Sequence, residues 1–118
     1  MERTKKVELQ GKQYNVQFPN CGQIIDIEAL KQSMTSGHYG EMVTSGIKSM
    51  YYALDIVDAI SFVKTCMPEV ARQFNVKNYT ELNPEEVEDI VTMYKQEIKP
   101  WIDETLNELK NASRGEEK

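Results

Sequence analysis

The chain has 118 residues, which is enough for one hydrophobic core but not for a second independent domain. Its 40% hydrophobic and 28% charged residues are typical of a folded globular protein and exclude the polar, highly charged composition of disordered chains. The formal net charge is -5, with four basic and two acidic side chains in residues 1–19 and five basic and eleven acidic ones in residues 80–118. Nucleic-acid binding needs clustered Lys and Arg against the phosphates, so we expect no nucleic-acid partner.

The sequence has neither a membrane-spanning segment nor a secretory signal. No apolar run approaches the ~18 residues that a span requires, and the first residues lack the apolar core of a signal peptide. Cys21 and Cys66 lie far apart, and neither belongs to a C-x-x-C pair, so we expect free thiols. These features predict a cytoplasmic protein without a membrane partner.

Alternating apolar and polar residues predict a β-hairpin at the start of the chain. The inward-facing residues are Val7 and Leu9 in the first strand and Tyr14, Val16 and Phe18 in the second. Gln10–Gly11–Lys12 separates the strands, and Gly11 can adopt a positive φ without a steric cost. A lone hairpin is marginal in water, so its apolar face must pack on a helix, on another copy or on a partner's sheet.

Helical periodicity follows the hairpin. Apolar residues at helical spacing predict a short amphipathic helix over residues 23–34, followed by a flexible break at Ser36–Gly40 in which Gly37 suits a left-handed cap. A wide apolar stripe over residues 43–65 predicts a central helix packed on more than one side. Its apolar positions include Val43, Ile47, Met50, Tyr51, Leu54, Val57 and Ile60.

Prolines mark the remaining helices. Pro68 suits the first turn of a short helix through Phe74, and Asn83–Glu86 combines an N-cap residue, a proline and acidic side chains at the start of a helix that runs to about residue 110. Pro100 should kink or divide that last helix. We therefore predict an α+β, mainly α fold in one domain, 1–118. It comprises a hairpin over 1–19, four or five helices in a compact bundle over 23–110, and a charged tail over 111–118 that should fray from Ala112.

No catalytic, cofactor-binding or metal-binding motif is present in the sequence. His38, the single histidine, lies between glycines without a recognisable nucleophile arrangement, and the phosphate-binding and zinc-protease motifs are absent. Asp55 and Asp58 could place two carboxylates on one helix face for a metal, but no second ligand pair accompanies them, so we interpret them as a polar strip. We expect a non-enzymatic protein with no cofactor, metal or small-molecule substrate.

Six side chains are candidates for contacts with a partner protein: Tyr14, Phe18, Tyr39, Met42, Tyr52 and Trp101. Tyrosine and methionine supply adaptable contact area. Trp101, which follows Pro100, is either an anchor for a partner or the largest residue of the core. Met34, Met50 and Met93 lie on or beside helical stripes and are interpreted as core.

Several short segments follow the hairpin in a characteristic order: Phe18–Gln23, Asp26–Lys31, Leu54–Asp58, Tyr94–Lys95 and Pro100–Trp101. This order resembles that of small proteins encoded by tailed bacteriophages, particularly the crAss-like phages of gut Bacteroidetes. The resemblance implies a minor structural component of the capsid, head–tail connector or tail, with other phage structural proteins and copies of itself as partners. It would then occur in the host cytoplasm and in the virion. The resemblance leaves a second role open, a tail assembly chaperone that is not retained in the virion.

The charge distribution keeps two further hypotheses open. A basic start and an acidic end suit head-to-tail contacts between copies, because complementary patches fix register. The acidic residues Glu85, Glu86, Glu88 and Asp89 would instead suit an inhibitor that occupies the basic cleft of a host enzyme.

Overall fold

The secondary-structure elements place one hairpin before a series of helices. The computed structural model describes the backbone of residues 3–116 and the side chains of residues 3–76 and 78–112. The elements are β1 (Thr4–Leu9), β2 (Lys12–Gln17), α1 (Cys21–Met34), α2 (Tyr39–Thr44), α3 (Lys48–Cys66), α4 (Pro68–Phe74), a 3₁₀ helix (Val76–Glu81), α5 (Pro84–Met93), a π-helical turn (Tyr94–Ile98) and α6 (Lys99–Glu116). The fold is α+β and mainly α, with the predicted N-terminal hairpin followed by helices.

The hairpin is antiparallel and is joined by a two-residue turn. Gln10 and Gly11 both have positive φ values, 52° and 80°, as a tight hairpin turn with the right-handed twist of its strands requires. The register pairs Val7 with Tyr14. The hairpin packs on its own chain, since β1 contacts α5 and the π-helical turn. The sequence had left open whether a neighbouring molecule would cover this face.

Helix α1 begins two residues earlier than its periodicity predicts. Asn20 accepts a hydrogen bond from the Gln23 backbone N–H at 2.9 Å, and the Gln23 side chain accepts one from the Asn20 N–H, which completes a capping box. The helix ends in a left-handed turn in which Gly37 has a φ of 82°, as predicted. The flexible connection expected over Ser36–Gly40 is shorter than predicted, because α2 already begins at Tyr39.

The prediction of one helix over residues 43–65 was wrong at its start. The chain leaves helical geometry at Ser45–Ile47, where Gly46 has a φ of 71°, and α3 begins only at Lys48. A residue in the left-handed region ends a helix and turns the chain out of the helical path. Val43 and Ile47 therefore lie before the first residue of α3, and both are exposed.

The hydrophobic core lies between the second half of α3, α5 and the inner face of the hairpin. Ile60, Ile90 and Val16, one from each element, are at most 1% exposed and belong to one cluster of buried side chains. Burying a side chain of this size contributes about 1.5–3 kcal/mol relative to leaving it exposed. This burial stabilises a hairpin that would be marginal alone.

The polypeptide remains helical through Pro100. A π-helical turn at Tyr94–Ile98 separates α5 from α6 just before the proline, in agreement with the predicted division of this helix, and the Lys99 N–H bonds to the carbonyl of Tyr94 five residues back. Pro100 has no N–H to donate, and a wider turn gives its ring room beside the preceding carbonyls. Helix α6 then continues to Glu116, although fraying was expected from residue 112; residues 117–118 of the predicted tail lie outside the described residues.

The starts of α4 and α5 agree with the positions predicted from their prolines and capping residues. Pro68 is the first residue of α4, which ends at Phe74 before Asn75 in the left-handed conformation. Asn83 caps α5 in a second capping box, with the Glu86 N–H donating to Asn83 Oδ1 at 2.8 Å. Within the described residues, no helix combines the length and apolar character needed to cross a membrane.

We expect that Asn83→Ala lowers the free energy of unfolding by about 1 kcal/mol, because the N-cap oxygen would be lost. Urea unfolding followed by circular dichroism measures the change. Asn111→Ala, an exposed position in α6, is the matched control and should have little effect. Equal losses for the two variants would contradict the capping role.

Candidate protein-interaction site

Large exposed hydrophobic side chains are concentrated in one stretch of the chain, at α2 and the start of α3. Of the seven that the described residues expose, five lie in α2, at the start of α3 or between them: Val43, Ile47, Met50, Tyr51 and Tyr52, each 37% to 53% exposed. We call this group the α2–α3 surface. Scattered exposed apolar residues need no explanation, whereas a concentrated group marks a site for another molecule.

The α2–α3 surface exists because the first turns of α3 extend beyond the part of the helix that the rest of the chain buries. The helix starts at Lys48, but its first buried residue is Leu54. Helix α2 packs beside α3, so its end and the first turns of α3 lie together. Ile47 occupies the N-cap position without a capping side chain, and its own side chain is half exposed. The sequence thus places an apolar residue where a polar cap is usual.

A second apolar feature is the groove between α1 and α6, which we call the α1–α6 groove. Its volume is about 410 Å³. Ile24 and Ile27 lie on the α1 wall, and Ile102 and Leu106 lie on the α6 wall. The floor is formed by Asp58, Phe62 and Tyr94. Ile24 is 41% exposed, so apolar surface continues from the groove to the outside of α1.

A polar network joins α1, α2 and α3 at the edge of this groove. The Tyr39 hydroxyl donates to Asp58 Oδ1 at 2.5 Å. Lys31 Nζ lies 2.9 Å from Glu28 Oε2 and 3.8 Å from Asp58 Oδ1, and it stands 5.4 Å from the centre of the Tyr39 ring. The Asp58 carboxylate is therefore held by a hydrogen bond from α2 and by an ion pair with α1.

The carboxylates predicted as a polar strip are both paired. Asp55 Oδ2 accepts from Lys95 Nζ at 3.1 Å, and Asp58 belongs to the network with Tyr39. Among the described residues, no group of three or more metal-ligating side chains comes together. The pairing agrees with the polar-strip interpretation of Asp55 and Asp58.

The tyrosines of the groove ionise with difficulty. Burial, the hydrogen bond to Asp58 and the negative charge of that carboxylate raise the pKa of Tyr39 well above its usual range. Burial, followed by the charges of Asp58, Asp103 and Glu28, also raises the pKa of Tyr94. The Tyr94 ring packs against Phe62 with 5.7 Å between the ring centres. Both hydroxyls consequently stay protonated to a higher pH than the hydroxyl of an exposed tyrosine.

The six predicted contact residues lie in several places. Tyr52 belongs to the α2–α3 surface, and Met42 is half-buried on α2 beside it. Tyr39 and Phe18 line the α1–α6 groove. The hairpin residue Tyr14 is half-buried, and its hydroxyl donates to Gln73 Oε1 at 2.6 Å.

Trp101 lies inside the molecule. It is 7% exposed and contacts Phe18 edge to face, with ring centres 5.6 Å apart and an interplanar angle of 85°. Of the two roles left open by the sequence, the core role matches this position. The contact between Phe18 and Trp101 holds the end of the hairpin against α6.

The acidic residues at the start of α5 also make intramolecular contacts. Glu86 completes the capping box, Asp89 Oδ2 accepts from Gln10 Nε2 at 2.9 Å, and Glu88 Oε2 lies 3.4 Å from the Tyr52 hydroxyl. These carboxylates hold the hairpin turn and α3 near α5, in addition to any effect of their charge.

Four residues of the α2–α3 surface were missed by sequence reasoning. Val43, Ile47, Met50 and Tyr51 were assigned to the buried stripe because their spacing continues that of α3. The dipeptide Ser45–Gly46 could have revealed the break, since such pairs mark turns. Comparisons of the chain with protein-family models, with curated proteins and with solved structures find no match.

The raised tyrosine pKa values predict a loss of stability in alkali. An unfolded tyrosine ionises near pH 10, while folded Tyr39 ionises higher, so its contribution is complete below about pH 10 and is lost as the pH rises further. We expect Tyr39→Phe to reduce the slope of unfolding free energy against pH above pH 10, and Tyr94→Phe to do the same. Denaturant unfolding between pH 8 and pH 11.5 measures the slopes. Slopes equal to that of the unmodified protein would refute this assignment.

Proposed function

We propose that this chain is a non-enzymatic phage morphogenesis protein, a minor component of the virion that acts by contacts with other proteins. The observation that carries the proposal is the exposed α2–α3 surface. Tyrosine and methionine are enriched where proteins meet, and charged residues are depleted there. The resemblance of the chain to small phage proteins supports the particular setting.

The energetics of the α2–α3 surface suit a contact made during assembly. Its five side chains expose roughly 400 Å², since a large side chain presents on the order of 150–200 Å² and each is about half exposed. Burial at about 25 cal/mol per Å² gives about 10 kcal/mol, which is comparable to the cost of association, ~4–15 kcal/mol. The surface can therefore bind only a partner that complements it and adds contacts at the rim.

A tail assembly chaperone is the second candidate, and the α1–α6 groove is the observation that favours it. The groove is concave, lined on both walls by aliphatic side chains, and has the volume of a few side chains. A chaperone needs such a site to hold an apolar segment of a structural protein before assembly. Tyr94 also lines the groove and offers a hydroxyl as a hydrogen-bonding group for a captured backbone.

The two candidates differ in where the chain is found after infection. Quantitative mass spectrometry of purified particles and of infected-cell extract should detect the chain in both, at a fixed number of copies per particle. The structural proteins of the same particles are the internal control for recovery. Absence from well-covered particles, with the chain abundant in the extract, would refute a virion component and leave the chaperone.

Removing the tyrosines of the α2–α3 surface should prevent incorporation. We expect Tyr51→Ser with Tyr52→Ser to lower the copy number per particle at least tenfold, because the apolar contact area is lost, while the free energy of unfolding falls by about 1 kcal/mol per site. Ile25→Ser, at an apolar position on α1 that is more exposed than either tyrosine, is the control. Normal incorporation of the double variant would show that the partner binds elsewhere.

A further inference from the structure

We propose that the α2–α3 surface pairs with the same surface of a second copy of this chain, around a twofold axis. The proposal rests on the proposed function in that both assign this surface to protein contact, and it names the partner. Three observations carry it: the arrangement of the apolar residues, the local charge and the available area.

The apolar residues form a seam along the exposed start of α3. Ile47, Tyr51 and Leu54 recur at intervals of four and three residues, with Met50 beside them, which is the spacing of residues at a helix–helix contact. Leu54 is buried by its own chain, while the earlier positions are exposed. Along α3, this row of apolar residues therefore runs from the buried Leu54 toward the exposed start of the helix. A second α3 start lying antiparallel to the first would cover these positions on both chains.

The local charge favours a second copy as the occupant. Residues 41–52 carry one acidic and one basic side chain, Glu41 and Lys48, so the segment is neutral although the whole chain carries -5. Glu88 of α5, whose Oε2 lies 3.4 Å from the Tyr52 hydroxyl, places one negative charge at the edge of this segment. Two copies of an acidic chain repel each other, and the repulsion is least where neutral faces meet. One charge of each sign also makes the surface self-complementary, because a twofold rotation can bring Lys48 of one copy toward Glu41 of the other. The Glu41 side chain is 81% exposed, and Lys48 is exposed without an ion-pair partner among the described residues.

The area of the α2–α3 surface is sufficient for a stable dimer interface when its polar rim is included. A stable interface buries about 800 Å² on each partner, and the five apolar side chains supply roughly half of that. The exposed neighbours Glu41, Thr44 and Lys48 can supply much of the remainder. The same patch serves both copies in a twofold pair, so the interface needs no second site on the chain.

The test is the mass of the purified chain, measured by light scattering after size exclusion over a concentration series at low and moderate salt. The expected result is a discrete species of twice the 13.6 kDa chain mass that dissociates on dilution. Ile47→Asp should shift the chain to the monomer mass at every concentration. Aspartate is a favourable N-cap residue, so this variant should retain or strengthen α3, and circular dichroism checks that it does. Ile25→Asp, the matched control on α1, should remain dimeric.

Exchange of the two charges tests the twofold pairing itself. Glu41→Lys and Lys48→Glu should each weaken the dimer about tenfold, because each leaves like charges facing across the axis. The double variant should restore the dimer to within about threefold. A double variant as weak as the single ones overturns the pairing of Glu41 with Lys48, and with it the proposed axis.

Monomeric wild-type protein at the highest concentration overturns self-pairing, and so does a series of species that grows without limit, because a closed twofold pair stops at two. Both outcomes are distinct from failure of the proposed function. If the protein is monomeric but Ile47→Asp is lost from particles, the surface binds another virion protein and only self-pairing fails. If the dimer forms but Ile47→Asp is incorporated normally, self-pairing stands and the surface is not the contact with the virion.

Discussion

The burial of the second half of α3 is the constraint on which the rest of the structure depends. From Leu54 onward this helix is covered by α1 and α2 as well as by α4 and α5, and Ala59 and Val63 are completely inaccessible. A helix enclosed by neighbours on several sides must be apolar around most of its circumference, which is why its stripe is so wide. The hairpin contacts α5 and the π-helical turn, and its inner face completes the same core. The hairpin and the short helices would not be stable alone, and they are held in place because their apolar faces are buried against this core.

The exposed start of the same helix shows how one element can serve two purposes. Its apolar pattern continues beyond the point at which its own neighbours end, so the sequence that builds the core also builds the α2–α3 surface. The turn at Ser45–Ile47 redirects the chain, and α2 adds Val43 to the exposed group. These residues remain 37% to 53% exposed in the single chain, and this exposure is the physical basis on which a binding role is proposed.

The contacts around Asp58 provide a different kind of order. Tyr39 and Lys31 approach this carboxylate from two helices and replace the water that it loses on partial burial. Such bonds fix where α1 and α2 lie relative to α3, since they require particular atoms to meet, whereas apolar packing tolerates small rotations. They also define one edge of the α1–α6 groove, so the shape of the groove depends on these bonds as well as on its apolar walls.

The sequence by itself determined the features that depend on neighbouring residues: the hairpin and its turn at Gly11, the caps at Asn83 and Gly37, the start of α4 at Pro68 and the α+β, mainly α class. Local backbone preferences and short-range hydrogen bonds are visible in a few consecutive residues. Only the tertiary structure decided which apolar residues are covered. Periodicity gives the same signal for Ile47 and Ile60, but one is exposed and the other buried, because coverage depends on elements distant in sequence. It likewise decided that Trp101 lies in the core against Phe18, and that four residues missed by the pattern join Tyr52 on one surface.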